Sequence, residues 1–244
     1  MFDNNVRAAG KPAIVLVHGA WADSSCWNDV IAPLQRDGYP VYAPPNPLRS
    51  LAADAASVAA FLRAIPGPVI LVGHSYGGAV ISVASVGCSN VKALVFIDAF
   101  VPDAGESCLA LLAAYPAPPS DLFTPVQLES GDTDLYFSPK YFGSAFANGV
   151  EANAAAVMAV TQRPVTLSAL GETAPAELGW KTLPNWYVHG GLDQAIPPPL
   201  KSMMAERAKA TVTHVNSGHL SMIVYPETTI ATIVAACEAA VLVS

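Results

Sequence analysis

Charge is scarce in this sequence. Asp, Glu, Lys and Arg make up 13% of its 244 residues, against 52% apolar, a balance that describes a chain able to bury a sizeable core rather than a disordered one. The charge present is mostly acidic: 12 Lys and Arg against 19 Asp and Glu, a formal net of −7. No basic cluster occurs, so neither nucleic acid nor an anionic membrane is an expected partner. No apolar run reaches the roughly 18 residues that a membrane-spanning helix needs. The polar stretch Met1–Lys11 lacks the apolar centre of a signal peptide. Cysteine is sparse as well. Cys26, Cys88, Cys108 and Cys237 lie far apart with no CxxC or Cys/His cluster, which speaks against a disulfide framework or a zinc site. A cytoplasmic protein with reduced thiols and no metal is expected.

What is present is a rhythm. Ala13–Val17, Val69–Val72 and Ala93–Ile97 are short, continuously apolar runs, as in strands buried on both faces. Asn185–Val188, Thr211–Val215 and Val41–Ala43 are weaker strand candidates. Between them, Leu51, Ala55, Val58, Leu62 and Ile65 recur at helical spacing, as do Ile230, Ile233, Val234, Cys237 and Val241 near the C-terminus. Such alternation implies an α/β fold, a parallel sheet with helices on both faces. From Pro102 to about Lys181 the rhythm stops. This segment is rich in Ala, Pro and aromatics, is too long for an ordinary connection, and reads as a small helical cap. The expectation is one domain over 1–244, with 102–181 inserted as that cap.

Two turns carry chemistry. Val69–Val72 runs into Gly73-His74-Ser75-Tyr76-Gly77-Gly78 and then an apolar helix. A Gly-x-Ser-x-Gly pentapeptide is weak evidence alone, but a strand before it and a helix after it make the serine a candidate nucleophile on a sharp turn. The small residues at 73, 77 and 78 suit that turn, and the helix start aims N–H groups at a developing oxyanion. The second turn, His18-Gly19-Ala20-Trp21, ends the first strand. It can present the Ala20 N–H beside that of Tyr76 as a two-donor oxyanion hole.

A serine hydroxyl needs a base. Of five histidines, His18 and His74 lie within the turn motifs and are expected to brace them. His189 and His214 fall on weak strands and read as structural or solvent-facing. His219, in the polar turn Asn216-Ser217-Gly218-His219 after the last strand, is the candidate base. Asp193 follows the preceding strand and completes the order Ser, Asp, His. Asp98 is its rival, because it ends Ala93–Ile97 on the same sheet edge. It could equally assist the triad or cap the first helix of the inserted segment.

These residues together resemble the α/β-hydrolase family over nearly the whole chain. The likeness is to the small group that holds plant methyl-ester esterases, hydroxynitrile lyases and bacterial esterases. It rests on Val17-His18-Gly19-Ala20-Trp21, Trp27, Gly73–Gly78, the Asp193 loop and Gly218-His219. The resemblance implies a mainly parallel sheet beginning at Ala13 without the usual leading hairpin. It also implies Ser75 as nucleophile, His219 as base, Asp193 as acid, Ala20 and Tyr76 as oxyanion donors, and no cofactor. The lyases resemble this sequence but carry lysine directly after the catalytic histidine, where this chain has Leu220. Related dehalogenases replace the nucleophilic serine by aspartate. Cofactor-free dioxygenases often draw their acid from the position of Asp98.

The expected activity is therefore carboxylic ester hydrolysis through an acyl-enzyme, on a small hydrophobic or aromatic ester. The alternatives are a C–C hydrolase or dioxygenase on the same scaffold, or a non-catalytic small-molecule receptor. Leu111, Leu112, Leu122, Phe123, Tyr136, Phe137, Tyr141, Phe142 and Phe146 give the cap apolar surface, for a pocket or merely for packing.

Overall fold

The computed structural model describes residues 10–241; the stretch Met1–Lys11, expected to lack a targeting signal, lies mostly outside them. In chain order come β1 (Ala13–Val17), α1 (Asn28–Arg36), β2 (Val41–Tyr42), α2 (Leu51–Arg63), β3 (Val69–His74), α3 (Tyr76–Ala84) and β4 (Val91–Ile97). After the inserted segment follow strand Asn185–Gly190, helix Pro198–Arg207, strand Thr211–Val215 and helices Ser221–Val224 and Pro226–Val241.

The inserted segment contains α4 (Cys108–Leu112), β5 (Phe123–Gln127), β6 (Thr133–Phe137), α5 (Pro139–Tyr141), α6 (Ala152–Thr161), β7 (Val165–Thr166) and α7 (Leu167–Gly171). The elements after it are accordingly β8, α8, β9, α9 and α10. The segment is less helical than its composition implies, because β5, β6 and β7 form an antiparallel sheet. The reason it escapes notice is burial. In β5 four of five residues are exposed, and in β6 only Asp134 and Phe137 are buried. An exposed hairpin carries no continuous apolar run.

The main sheet has the order β2-β1-β3-β4-β8-β9, and each pairing is parallel. β1 and β3 are buried at every position, which explains their uninterrupted Val, Ile and Leu. Parallel crossovers are right-handed. The chain steps one way from β1 to β2 and the other way from β2 through β3 to β4, so α1 lies on one face and α2 and α3 on the other. α10 joins α1, packing against it and against β4 and β8. On α2, Leu51, Ala55, Val58 and Leu62 form the buried stripe that their spacing predicts, and Ser50 caps its start by accepting from Ala53 N–H.

This topology reverses direction between β1 and β3. In open parallel sheets the crevice outside such a reversal, at the carboxyl ends, is where ligands bind. Both turn motifs open there: Gly19-Ala20 after β1 and Ser75 after β3. Their approach is close. A Cβ built on Gly19 would stand 2.6 Å from Ser75 Cβ, and one on Gly73 would stand 2.6 Å from the Gly77 carbonyl oxygen. Backbone cannot give way as a flexible side chain can. Gly73→Ala is therefore expected to cost about 1–3 kcal/mol of stability, the usual range for overpacking. Urea denaturation of that variant checks it.

Candidate active site

Ser75 sits between β3 and α3 with φ 53° and ψ −126°, a conformation that non-glycine residues rarely adopt. Three bonds hold it. Ser75 N–H donates to the Ile97 carbonyl, and the Ser75 carbonyl accepts from Gly78 N–H and Phe100 N–H. The side chain is only 3% exposed, and what is exposed faces a cavity that His219 also lines. Tyr76 opens α3, so its N–H belongs to the first turn, whose donors lack partners within the helix.

His219 lies after β9, 1% exposed. Its Nδ1–H donates to Asp193 Oδ2 at 2.8 Å, which fixes the tautomer and leaves Nε2 as the basic nitrogen. Asp193 itself is anchored through Oδ1, which accepts from Ala195 N–H at 2.8 Å and Ile196 N–H at 3.0 Å. His74 braces the same loop, its Nε2–H donating to the His219 carbonyl at 2.9 Å. His18 braces the other turn: Nδ1–H donates to the Gly19 carbonyl, and Nε2 accepts from Asn46 N–H. The structure thus brings Ser75, His219, Asp193, Ala20 and Tyr76 to one edge of the sheet.

A family model described as "Alpha/beta hydrolase family" matches residues 14–232. The chain belongs to the α/β-hydrolase family. Relatives of this chain include a carbendazim hydrolyzing esterase of Nocardioides sp. (strain SG-4G), 39% identical over 111 residues, 40% of this chain and 46% of that protein. The α/β hydrolase nvfD of Aspergillus novofumigatus is 26% identical over 89% of this chain and 93% of its own. The chain spans about half the length of two curated relatives, 46% of the carbendazim esterase and 54% of one from Arabidopsis thaliana. The crystal structure of polyneuridine aldehyde esterase superposes with a TM-score of 0.79 at 18% identity, over 92% of this chain and 98% of that one.

Among the described residues the imidazole hydrogen-bonds Asp193 rather than Asp98, and Asp98 does not cap the inserted segment's first helix, which Ser107 caps. Its Oδ1 accepts from Gly190 N–H at 2.6 Å and Oδ2 from Ser221 N–H at 3.2 Å. Oδ1 also accepts from Lys201 Nζ at 2.6 Å, and that ammonium reaches Asp193 Oδ2 at 2.7 Å. Lys201, which the motifs did not point to, is fully buried on α8. Its signal was its place in a helical stripe with Met204, Ala205 and Ala208, all buried. Burial acts to raise the Asp193 carboxyl, but His219 and Lys201 outweigh it and hold it below the usual carboxylate range.

Trp21 is a second residue whose part the sequence left unread. With φ 56° it turns back beneath the inserted segment. Its N–H donates to the Arg163 carbonyl, its Nε1–H to the Leu135 carbonyl, and its ring stacks on Phe123 at 5.0 Å. The loop carrying Ala20 is thereby tied to the cap. Below α3, Tyr76 O–H donates to Asp54 Oδ2 at 2.8 Å, turning the phenol away from the cavity.

That cavity holds about 530 Å³ and is lined largely by apolar groups. Leu112, Leu122, Phe123, Phe137 and Tyr141 line it. Phe142 and Phe146 pack instead within the core, and Tyr136 is exposed. Among the described residues no Asp, Glu, Lys or Arg lines the cavity, and no cluster of three or more His, Cys, Asp or Glu could hold a metal ion. His189 is buried at the end of β8, donating to the Pro198 carbonyl, whereas His214 is exposed on β9. No helix among the described residues is long and apolar enough to cross a membrane.

Burial lowers His18 from 6.5 to about 4, against the opposing hydrogen bond to Gly19. The folded state therefore resists a proton that the unfolded chain accepts. The stabilisation is complete above pH 6.5 and is lost as pH falls towards 4. Between pH 7 and pH 5 this residue should account for about 2 kcal/mol of lost stability. Urea titrations at the two pH values should show that loss reduced by about 2 kcal/mol in His18→Gln. Asp193 acts in a separate window, below the ordinary carboxylate range.

Proposed function

We propose that this chain is a serine carboxylic ester hydrolase acting on small hydrophobic or aromatic esters. The observation that carries the reading is the buried Asp193–His219 hydrogen bond at the floor of an apolar cavity that Ser75 shares. Ser75 Oγ attacks the ester carbonyl as His219 Nε2 takes its proton. The oxyanion is held by the N–H groups of Ala20 and Tyr76. The alcohol leaves with the proton from His219, and water then attacks the acyl-enzyme by the same route and frees the acid. Similarity to a carbendazim hydrolyzing esterase supports ester hydrolysis, and the uncharged, apolar cavity supports a hydrophobic substrate. His219 Nδ1 donates to Asp193, whereas Asp98 is bonded to Lys201 and two backbone N–H groups, which favours Asp193 over Asp98 as the acid. A cytoplasmic setting fits four cysteines that are all buried free thiols.

Ser75→Ala should reduce kcat/KM on p-nitrophenyl butyrate by roughly four or more orders of magnitude with unchanged circular dichroism. Turnover that survived in that variant would remove the proposal. Charge offers a second check. An ester whose acyl chain ends in a carboxylate would bury that charge without a partner. Its kcat/KM should fall roughly 100-fold or more below that of the neutral isostere, a loss of about 3 kcal/mol; equal rates would contradict the apolar binding mode.

A further inference from the structure

The triad's acid does not stand alone. Asp193 Oδ2 accepts two hydrogen bonds, from His219 Nδ1 at 2.8 Å and from Lys201 Nζ at 2.7 Å. The ammonium's other protons go to Asp98 Oδ1 at 2.6 Å and the Gly190 carbonyl at 2.8 Å. Lys201, Asp98 and Asp193 are each 2% exposed or less. Burying a lysine and its counter-charge for stability alone is a poor bargain, since apolar residues of the same volume commonly do as well or better. The location is the informative part. Asp98 reaches Gly190 on the strand leading to Asp193 and Ser221, two residues beyond His219. The pair thus braces both loops that carry the charge-relay groups.

We infer that Lys201 and Asp98 form a positioning pair that fixes the Asp193 carboxylate and sets the pH at which His219 becomes an effective base. The inference rests on the reading of Asp193 and His219 as acid and base. The ionisable groups facing His219 are Asp193, with Lys201 and Asp98 behind it, and His74, whose ring centroid lies 4.8 Å away. Burial holds His74 well below its ordinary range, with His219 adding to that effect, so it stays neutral while His219 works. The sign then comes from the pair. The Lys201 ammonium opposes a positive charge on the imidazole, and the Asp98 carboxylate favours one. Removing only the cation should move the acidic limb of the kcat/KM profile to higher pH. Removing only the Asp98 charge should move it to lower pH. A purely structural brace would lower rates without opposite shifts.

The test compares wild type, Lys201→Gln, Asp98→Asn and the double variant in full pH profiles on p-nitrophenyl butyrate. Shifts of roughly two pH units in opposite directions for the single variants are expected, for charges roughly 5–8 Å apart at an effective dielectric of about 20. The double variant should fall between the two. Should Lys201→Gln fail to fold, the comparison of the double variant with Asp98→Asn keeps the same sign, because adding Lys201→Gln must raise the limb. Histidine ring 13C NMR titration, assigned with His219→Gln, reads the same shifts without turnover. Ester hydrolysis that survives Ser75→Ala would count against the proposed reaction, not the electrostatic pair. Identical limbs, or shifts of one sign in both single variants, would overturn the pair's role.

Discussion

Everything at this site depends on how closely two backbones pass each other. β3 enters α3 through a turn in which Gly73 lies against the Gly77 carbonyl, and Gly19 of the neighbouring turn lies against Ser75 Cβ. Side chains at these points would push the two motifs apart. Their absence lets Ser75 hold φ 53°, a strained angle that costs on the order of 1–3 kcal/mol. The bonds to Ile97, Gly78 and Phe100 offset the strain. The result lifts Oγ off the end of a fully buried strand and into the cavity.

Strain is not confined to the serine. Among the described residues, non-glycine positions with positive φ include Trp21, Ser75 and Asp98, which follow β1, β3 and β4. All three lie at the carboxyl edge, within four residues of the end of a strand, where the chain leaves a rigid element and must aim a group. At Trp21 the aim is doubled. Its ring and both N–H groups engage the inserted segment, while its neighbour Ala20 faces the serine across the cavity. β5 and β6 are thus linked through Trp21 to the loop that carries Ala20. If Ala20 serves as the proposed oxyanion donor, this link would couple substrate enclosure to transition-state stabilisation.

The sequence made this edge legible because strands buried on both faces must be apolar throughout, and because a nucleophile on a tight turn must have small neighbours. β1, β3 and β4 carry that pattern, and Ser75, His219 and Asp193 follow their strands in the expected order. The inserted sheet was not legible for the same reason in reverse. β5 has no fully buried residue and four exposed ones, so its pattern is that of a polar loop. Asp98 was ambiguous, since sheet-edge position alone cannot distinguish a residue that touches imidazole from one that touches a lysine. The clue lay elsewhere. Lys201 falls in register with Met204, Ala205 and Ala208, and a cation on an apolar helical stripe requires buried counter-charges close by.

The distribution of charge across the site suits what the proposed reaction would require. No Asp, Glu, Lys or Arg among the described residues lines the cavity, and Asp98, Asp193 and Lys201 are buried outside its lining. During attack a negative charge grows on the carbonyl oxygen and a positive charge on the imidazole. In an apolar cavity both are felt strongly, because little water screens them. Placing fixed charges beneath the imidazole, and only N–H dipoles near the oxyanion, separates the two demands. On the proposed reading Asp193 would stabilise the imidazolium directly, and Lys201 and Asp98 would adjust by how much. A charged group in the cavity itself would instead bind one end of a ground-state substrate, which lowers KM without accelerating the chemical step.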